Sequence, residues 1–277
     1  MVRIFTHGVR AHADETWACG VLIATHPDIQ FDEIIRDAQR VSEATEEDFV
    51  VDCGMQHDGK RLFDHHQFGG GYDVPCALTL VCRAFAPWLL EDAKYKVFFE
   101  RIRVQDTQGL PTAEKVYGSS APYSESEWAW IHHFEERPLL VAQMLAKEIR
   151  DRKAEIDEAE RAKDWLSTRY RVELVNDLTV VAVEENPFKA GFGVNAFNLA
   201  LNAVADSETA DVTYGWIPDD PAGTGRTLFR TKIGTAKGVN FTKAEPVNLV
   251  FCHGSGFLLT FQPDSEQEYR RLIKESI

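Results

Sequence analysis

The chain has 277 residues, 44% of them hydrophobic, which excludes a disordered or collagen-like protein and is enough to bury two modest cores. Its 44 acidic against 30 basic residues give a formal charge of −14, which argues against stable coating of duplex DNA or of an anionic membrane. The 5 cysteines form no C-x-x-C pair, so neither a disulfide framework nor a thiolate zinc site is expected. With no membrane-length apolar run and no leader-like start, a cytoplasmic protein is the expectation.

Residues 2–5 read as a short strand ending at Thr6-His7-Gly8, and Asp14 is placed to cap a helix reaching about His26, with Trp17, Val21 and Leu22 at helical spacing. Residues 33–36 read as a second strand. Residues 49–52 are the clearest one, an apolar run stopping at Asp52, and Leu62-Phe63 leads into Asp64-His65-His66. Pro75 then opens an apolar helix to about Leu90, followed by a second helix to about Val104. Strands alternating with helices predict βαβ units and a mostly parallel sheet, whose ligands gather beyond the carboxyl ends of the strands. His7, Asp52 and the Asp64-His65-His66 triplet all fall at such ends.

Residues 125–170 read as helical, the later part dense in alternating charge as in a solvated connector. Beyond it come alternating strands over 171–186, a helix through NAFNLALNAVA, and strands near 212–217, 227–233 and 247–252. The expected organisation is an α/β chain in three parts. These are an N-terminal domain over 1–124, a helical connector over 125–170 and a smaller α/β domain over 171–277, with the two domains facing across a cleft.

The loop THGVRAHADE brings His7, His12 and Asp14 together, with Glu15 beside them. Mixed imidazole and carboxylate donors suit manganese, iron or zinc better than magnesium or calcium. Adding Asp52, His65 and Asp106 gives three histidines and three aspartates, more than one ion uses. Two ions bridged by a carboxylate would use them all, and Asp52, alone at the end of a central strand, is the best candidate for the bridge. By contrast, His132-His133 reads as part of a helix face, and Gly191-Phe192-Gly193 is too short for a dinucleotide fingerprint.

FVVDCGMQHDGKRLFDHHQ, with Asp64-His65-His66 a short step after Asp52, resembles the DHH phosphoesterase superfamily. With THGVRAHADE it is most similar to the branch named for the melanocyte-proliferating gene product, which shares a His-x4-His-x-Asp-Glu opening and a DHHQ block. The resemblance is specific over 4–72, weaker over 85–110, where Ala86-Pro87-Trp88 and Asp106 fall, and loose beyond. It implies a DHH-type N-terminal domain, two manganese ions with magnesium, iron or zinc as substitutes, and 3′-to-5′ exonuclease activity on single-stranded RNA or short oligonucleotides. It further implies one ion on His7, His12 and Asp52, and the other on Asp14, Asp52, His65 and Asp106. His66 would face substrate and Asp64 would orient the neighbouring histidine, so that Asp52, Asp64 and His66 form the catalytic set. The chain departs from the pattern at His12, where most of the superfamily has Asp, and after Asp106, where Thr-Gln-Gly replaces Asn-Gly.

Near the C-terminus, His253-Gly254-Ser255-Gly256 is a small turn similar to the ending of the same branch, with backbone and side-chain donors suited to phosphate. Residues 221–243 carry Arg226, Arg230, Lys232, Lys237 and Lys243 without one acid, which suits a path for a single strand. A hydrolase of small phosphoesters, such as a cyclic dinucleotide, a nucleotide or pyrophosphate, needs the same metals but not this stripe. A non-catalytic metal-binding regulator stands as the remaining alternative.

Overall fold

The computed structural model describes residues 2–8, 10–69, 71–118, 125–218, 220, 222–265 and 267–277. Pro221, the first residue of the basic stretch, and residue 124, the expected end of the first domain, lie outside them. The chain divides into two compact units, Met1–Asp151 and Arg152–Ile277.

The first unit is built on β1 (Val2–Thr6), α1 (Ala13–Thr25), β2 (Phe31–Arg36), β3 (Phe49–Val51) and β4 (Leu62–Phe63). The strands form one parallel sheet in the order β2-β1-β3-β4. Alternation along β1 and β3 explains why both faces are covered. Ile4, Ile34, Phe49, Val51 and Phe63 enter the helix-side core, while Phe5, Ile35, Val50 and Cys53 fill a smaller cluster on the opposite face. α1 is apolar nearly all round and is buried over almost its whole length, with Trp17 set edge-on against Tyr95, Phe98 and Phe99.

Four further helices and the start of a long one complete this unit: α2 (Ala77–Phe85), α3 (Lys96–Gln108), α4 (Leu110–Tyr117), α5 (Glu125–Glu136) and α6 (Pro138–Leu166). The helix expected to reach Leu90 stops at Phe85. Pro87 cannot donate to the helical ladder, and a 3-10 turn over Pro87–Leu90 follows instead. Pro138 breaks the expected 125–170 helix in the same way. No helix among the described residues is long and apolar enough to cross a membrane.

The second unit continues α6 into β5 (Tyr170–Val175), β6 (Leu178–Val183), α7 (Val194–Ser207), β7 (Val212–Trp216), β8 (Arg226–Arg230), α8 (Lys232–Ala236), β9 (Leu249–Cys252), β10 (Leu258–Phe261) and α9 (Glu268–Glu275). Its mixed sheet runs β5-β6-β7-β8-β10-β9, parallel only between β6 and β7, the pair joined through α7. α7 packs Phe197, Ala200 and Val204 against Val181 and Val183 on one face. On the other, α9 packs Tyr269, Leu272 and Ile273 against Val180, Tyr214 and Leu228. The strand expected over 227–233 ends at Arg230, because the Thr231 hydroxyl accepts from the Gly234 N–H and starts α8. β10 and α9 have no counterpart in the sequence reading.

Candidate metal centre

Each element of the first sheet delivers a polar residue as it ends: His7 after β1, Asp52 after β3, Asp64 and His65 after β4. α1 brings His12 as its N-terminal cap and Asp14 in its first turn, and α3 brings Asp106. The loop after β3 is bent hard, with Asp52 at φ 57, Gly54 at φ 92 and Met55 at φ 58. A non-glycine residue in the left-handed region costs energy that the surroundings must over-determine, and such outliers cluster where function fixes the geometry.

The bend sets the two oxygens of Asp52 toward two histidines. Oδ2 lies 3.1 Å from His7 Nε2, and Oδ1 lies 3.1 Å from His65 Nε2. His65 Nε2 is also 3.0 Å from Asp106 Oδ2. These approaches are close without hydrogen-bond alignment. Both ring nitrogens of His7, both oxygens of Asp14, Oδ1 of Asp52, Nε2 of His65 and Oδ2 of Asp106 are buried with no hydrogen-bond partner. Leaving that many buried polar atoms unsatisfied is expensive, so they signal a missing common partner. Three overlapping donor groups, each with ligand atoms within 4.8 Å of one another, describe its place: His7-His12-Asp52, Asp52-His65-His66 and His12-Asp14-Asp106. Nitrogen and carboxylate oxygen donors of this kind fit divalent cations.

The electrostatics agree with that fit. Burial disfavours the imidazolium of His65, but Asp106 and Asp52 outweigh it and push the group up to about 10. Burial raises Asp52, yet His65 and His7 bring its carboxyl down to about 2. Asp14 goes the other way, well above the usual carboxylate range, because it is fully buried beside Asp106 and Asp52. Burial lowers His12, and its neighbour His7 lowers it further. Nearby carboxylates want a counter-charge, and cations supply it.

All six residues expected to bind metal, His7, His12, Asp14, Asp52, His65 and Asp106, are thus brought together. Five of them, with Asp14 excepted, line an open pocket of about 620 Å³ that also includes His66, Gly69 and Thr107. Asp14 instead lines an adjoining pocket of about 300 Å³ with His12 and Asp106. His66 is half exposed. Its Nδ1 lies 2.6 Å from Asp64 Oδ1, so Nε2 is the nitrogen left for the pocket. Asp64, buried, also accepts from the backbone N–H of Met55 and of His66. The histidine it orients is therefore His66.

Glu15, only a neighbour of the site by its place in the sequence, has a role in the structure. Its buried carboxylate accepts from the Thr6 hydroxyl and from the His12 N–H at 3.1 Å, and stands 3.5 Å from His7 Nε2 and 3.4 Å from Arg36. The sequence signal was its place three residues after the helix cap. Burial pushes Glu15 up to about 7, against the pull of His7, Thr6 and Arg36. Glu15→Gln is expected to weaken divalent-cation binding by about 10- to 100-fold, as loss of a ligand-orienting carboxylate does, which calorimetric titration reads directly.

The residues expected to hold substrate lie in the second unit and are largely engaged within it. Arg226 places its guanidinium 3.2 Å from the centre of the Trp216 ring and donates to the Thr224 and Gly225 carbonyls. Arg230 donates to the Val239 carbonyl, and Lys237 pairs with buried Asp211 at 2.7 Å. In the turn between β9 and β10, the His253 ring meets the Ser255 hydroxyl at 2.8 Å, and the Gly256 N–H donates to the His253 carbonyl. Gly256 has φ +65, and a Cβ there would strike the Asn240 side chain, so its glycine is a packing requirement. Around Gly254 a Cβ meets nothing within 4 Å.

Residues 3–73 match a family model, MYG1_exonuc, described as "Uncharacterised protein family (UPF0160)". That segment holds the first sheet and both histidine motifs, so the resemblance read from those motifs holds over it. No curated protein matches the chain. Among solved structures, the chain is similar to a Methanococcus jannaschii protein described as a family II inorganic pyrophosphatase. The identity is 11% and the TM-score 0.28, covering 99% of this chain and 100% of that one.

Proposed function

We propose that this chain, whose N-terminal segment carries that family's pattern, is a metal-dependent phosphodiesterase, with manganese as its ion and single-stranded oligonucleotides as its substrate, trimmed from the 3′ end. The observation that carries the hydrolase reading is the convergence of buried, hydrogen-bond-orphaned imidazole and carboxylate atoms at the carboxyl ends of one parallel sheet. The polarity and the RNA preference come from the family resemblance.

Bound divalent cations supply charge toward phosphoryl oxygens and lower the pKa of a coordinated water. His7, His12 and Asp52 would hold one, and Asp14, Asp52, His65 and Asp106 the other, with each Asp52 oxygen serving one side. The protein fixes these groups before substrate arrives. Asp64 holds the His66 ring so that Nε2 is available to a phosphoryl oxygen or a departing hydroxyl in the open pocket. The turn 253–256, Arg226 and Arg230 are the second unit's candidates for contact with the phosphate chain.

RNA and DNA oligomers labelled at either end, incubated with manganese, test the reading. Progressive shortening of 5′-labelled RNA, abolished by chelation, is the expected result. Intact oligomers with rapid turnover of pyrophosphate or a dinucleotide would overturn it in favour of a small-molecule hydrolase, and metal binding without any turnover would leave a regulator.

A further inference from the structure

The second unit contains a pocket that the metal chemistry does not use. It opens on the face of the mixed sheet covered by α7, has a volume of about 440 Å³, and lies over β7, β8 and β10. Packed interiors leave only water-sized gaps, so this is not an ordinary packing defect. One residue of its lining stands out. Gly215 sits inside β7, opposite Thr227 of β8, where a strand would ordinarily carry a bulky side chain. A glycine inside a strand often marks close approach by something else. A Cβ added at Gly215 finds its nearest neighbour, Thr227 Cγ2, at 3.9 Å, so packing does not demand the glycine.

The lining specifies the occupant. Phe197 and Phe229 provide flat apolar walls beside Trp216, whose ring carries the Arg226 guanidinium against it, and among the described residues no Asp, Glu, Lys or Arg lines the pocket, which favours an uncharged ring. Two polar atoms lack a partner there: Trp216 Nε1, a donor only, and Thr227 Oγ1 are both buried without a hydrogen bond. A purely hydrocarbon ligand would leave both unsatisfied, which is unfavourable for buried polar atoms. Asn198 and Asn202, one helical turn apart on α7, add amide donors and acceptors at the rim. A flat, neutral heteroaromatic ring with acceptors and donors along its edge satisfies all of these conditions.

We propose that this pocket is a nucleobase site, holding one base of the substrate by stacking and edge hydrogen bonds. The choice of a nucleobase among heteroaromatic rings rests on the oligonucleotide reading above. The site itself is tested without it, in full-length protein stripped of metal. Adenosine and uridine are titrated while the Trp216 indole N–H signal, assigned with Trp216→Phe, is followed by NMR. Saturable binding of at least one nucleoside, with a shift of that signal, is expected.

Gly215→Ile fills the floor and should weaken this binding at least tenfold with an unchanged melting temperature, and Thr227→Val should weaken it by a smaller factor. Absence of nucleoside binding overturns the proposal. So does toluene binding as tightly as the nucleosides with indifference to Thr227→Val, which would make the pocket a hydrophobic cavity only. Nucleoside binding in a protein that cleaves no oligonucleotide would sink the functional reading and leave the pocket standing.

Discussion

Asp52→Asn is expected to reduce metal-dependent phosphodiester cleavage by about a thousandfold or more, a loss on the order of 4 kcal/mol of transition-state stabilisation. The argument is geometric. Asp52 offers one oxygen to the side of the site holding His7 and the other to the side holding His65, each at 3.1 Å. An amide keeps the shape but replaces one anionic oxygen with an NH2 group, which repels a cation and cannot complete both sides. The left-handed backbone at φ 57 is one that Asn tolerates better than most residues, so the fold should survive the change. Manganese stoichiometry from calorimetry and turnover of a labelled oligomer are measured together. The expected outcome is loss of at least one bound ion along with activity, at an unchanged circular dichroism spectrum. A variant as active as the parent would show that the cluster at the sheet's end is not the catalytic centre.

The centre was legible in the sequence because parallel strands have a polarity. Once residues 2–5, 49–52 and 62–63 are strands of one sheet, His7, Asp52 and His65 are forced to the same edge, whatever the register. Asp106 needed the helix α3 to swing it within 3.0 Å of His65, and no local pattern states that distance. The second unit was harder to read for a different reason. Lys237 and Arg230 read in the sequence as basic charge open to a single strand, yet one neutralises buried Asp211 and the other fastens the Val239 carbonyl. Charge is visible along a chain and partners are not. The pocket over β7 includes Gly215 in its lining, a missing side chain that a pattern of apolar residues cannot weigh.

Asp48→Asn should carry the largest stability cost away from the metal centre, because one buried carboxylate ties the entrance of β3 to β1. Its side chain is fully buried, and Oδ1 accepts from the Arg3 backbone N–H at 2.8 Å and from Arg3 Nε at 3.3 Å. Oδ2 accepts from Arg3 Nη2 at 2.7 Å and from the Thr45 N–H and hydroxyl at 2.8 and 3.0 Å. An amide in that place turns one acceptor into a donor facing other donors and removes the charge opposite Arg3. A loss of about 2–4 kcal/mol is expected, the range for breaking a buried charge-assisted network. Burial alone would raise the Asp48 carboxyl, but Arg3 and the backbone donors of Thr45 and Arg3 hold it well below the usual carboxylate range. A group whose pKa is depressed on folding stabilises the folded state fully above its unfolded value, about 3.9, and loses that contribution as the pH falls below it. The gap in urea midpoint between parent and variant should therefore be constant from neutral pH down to about pH 5 and narrow steadily below about pH 4. Amide exchange in β1 and β3 localises the effect to the first sheet. A gap that persists unchanged at pH 3 would mean that packing, and not the carboxylate's charge, holds this corner together.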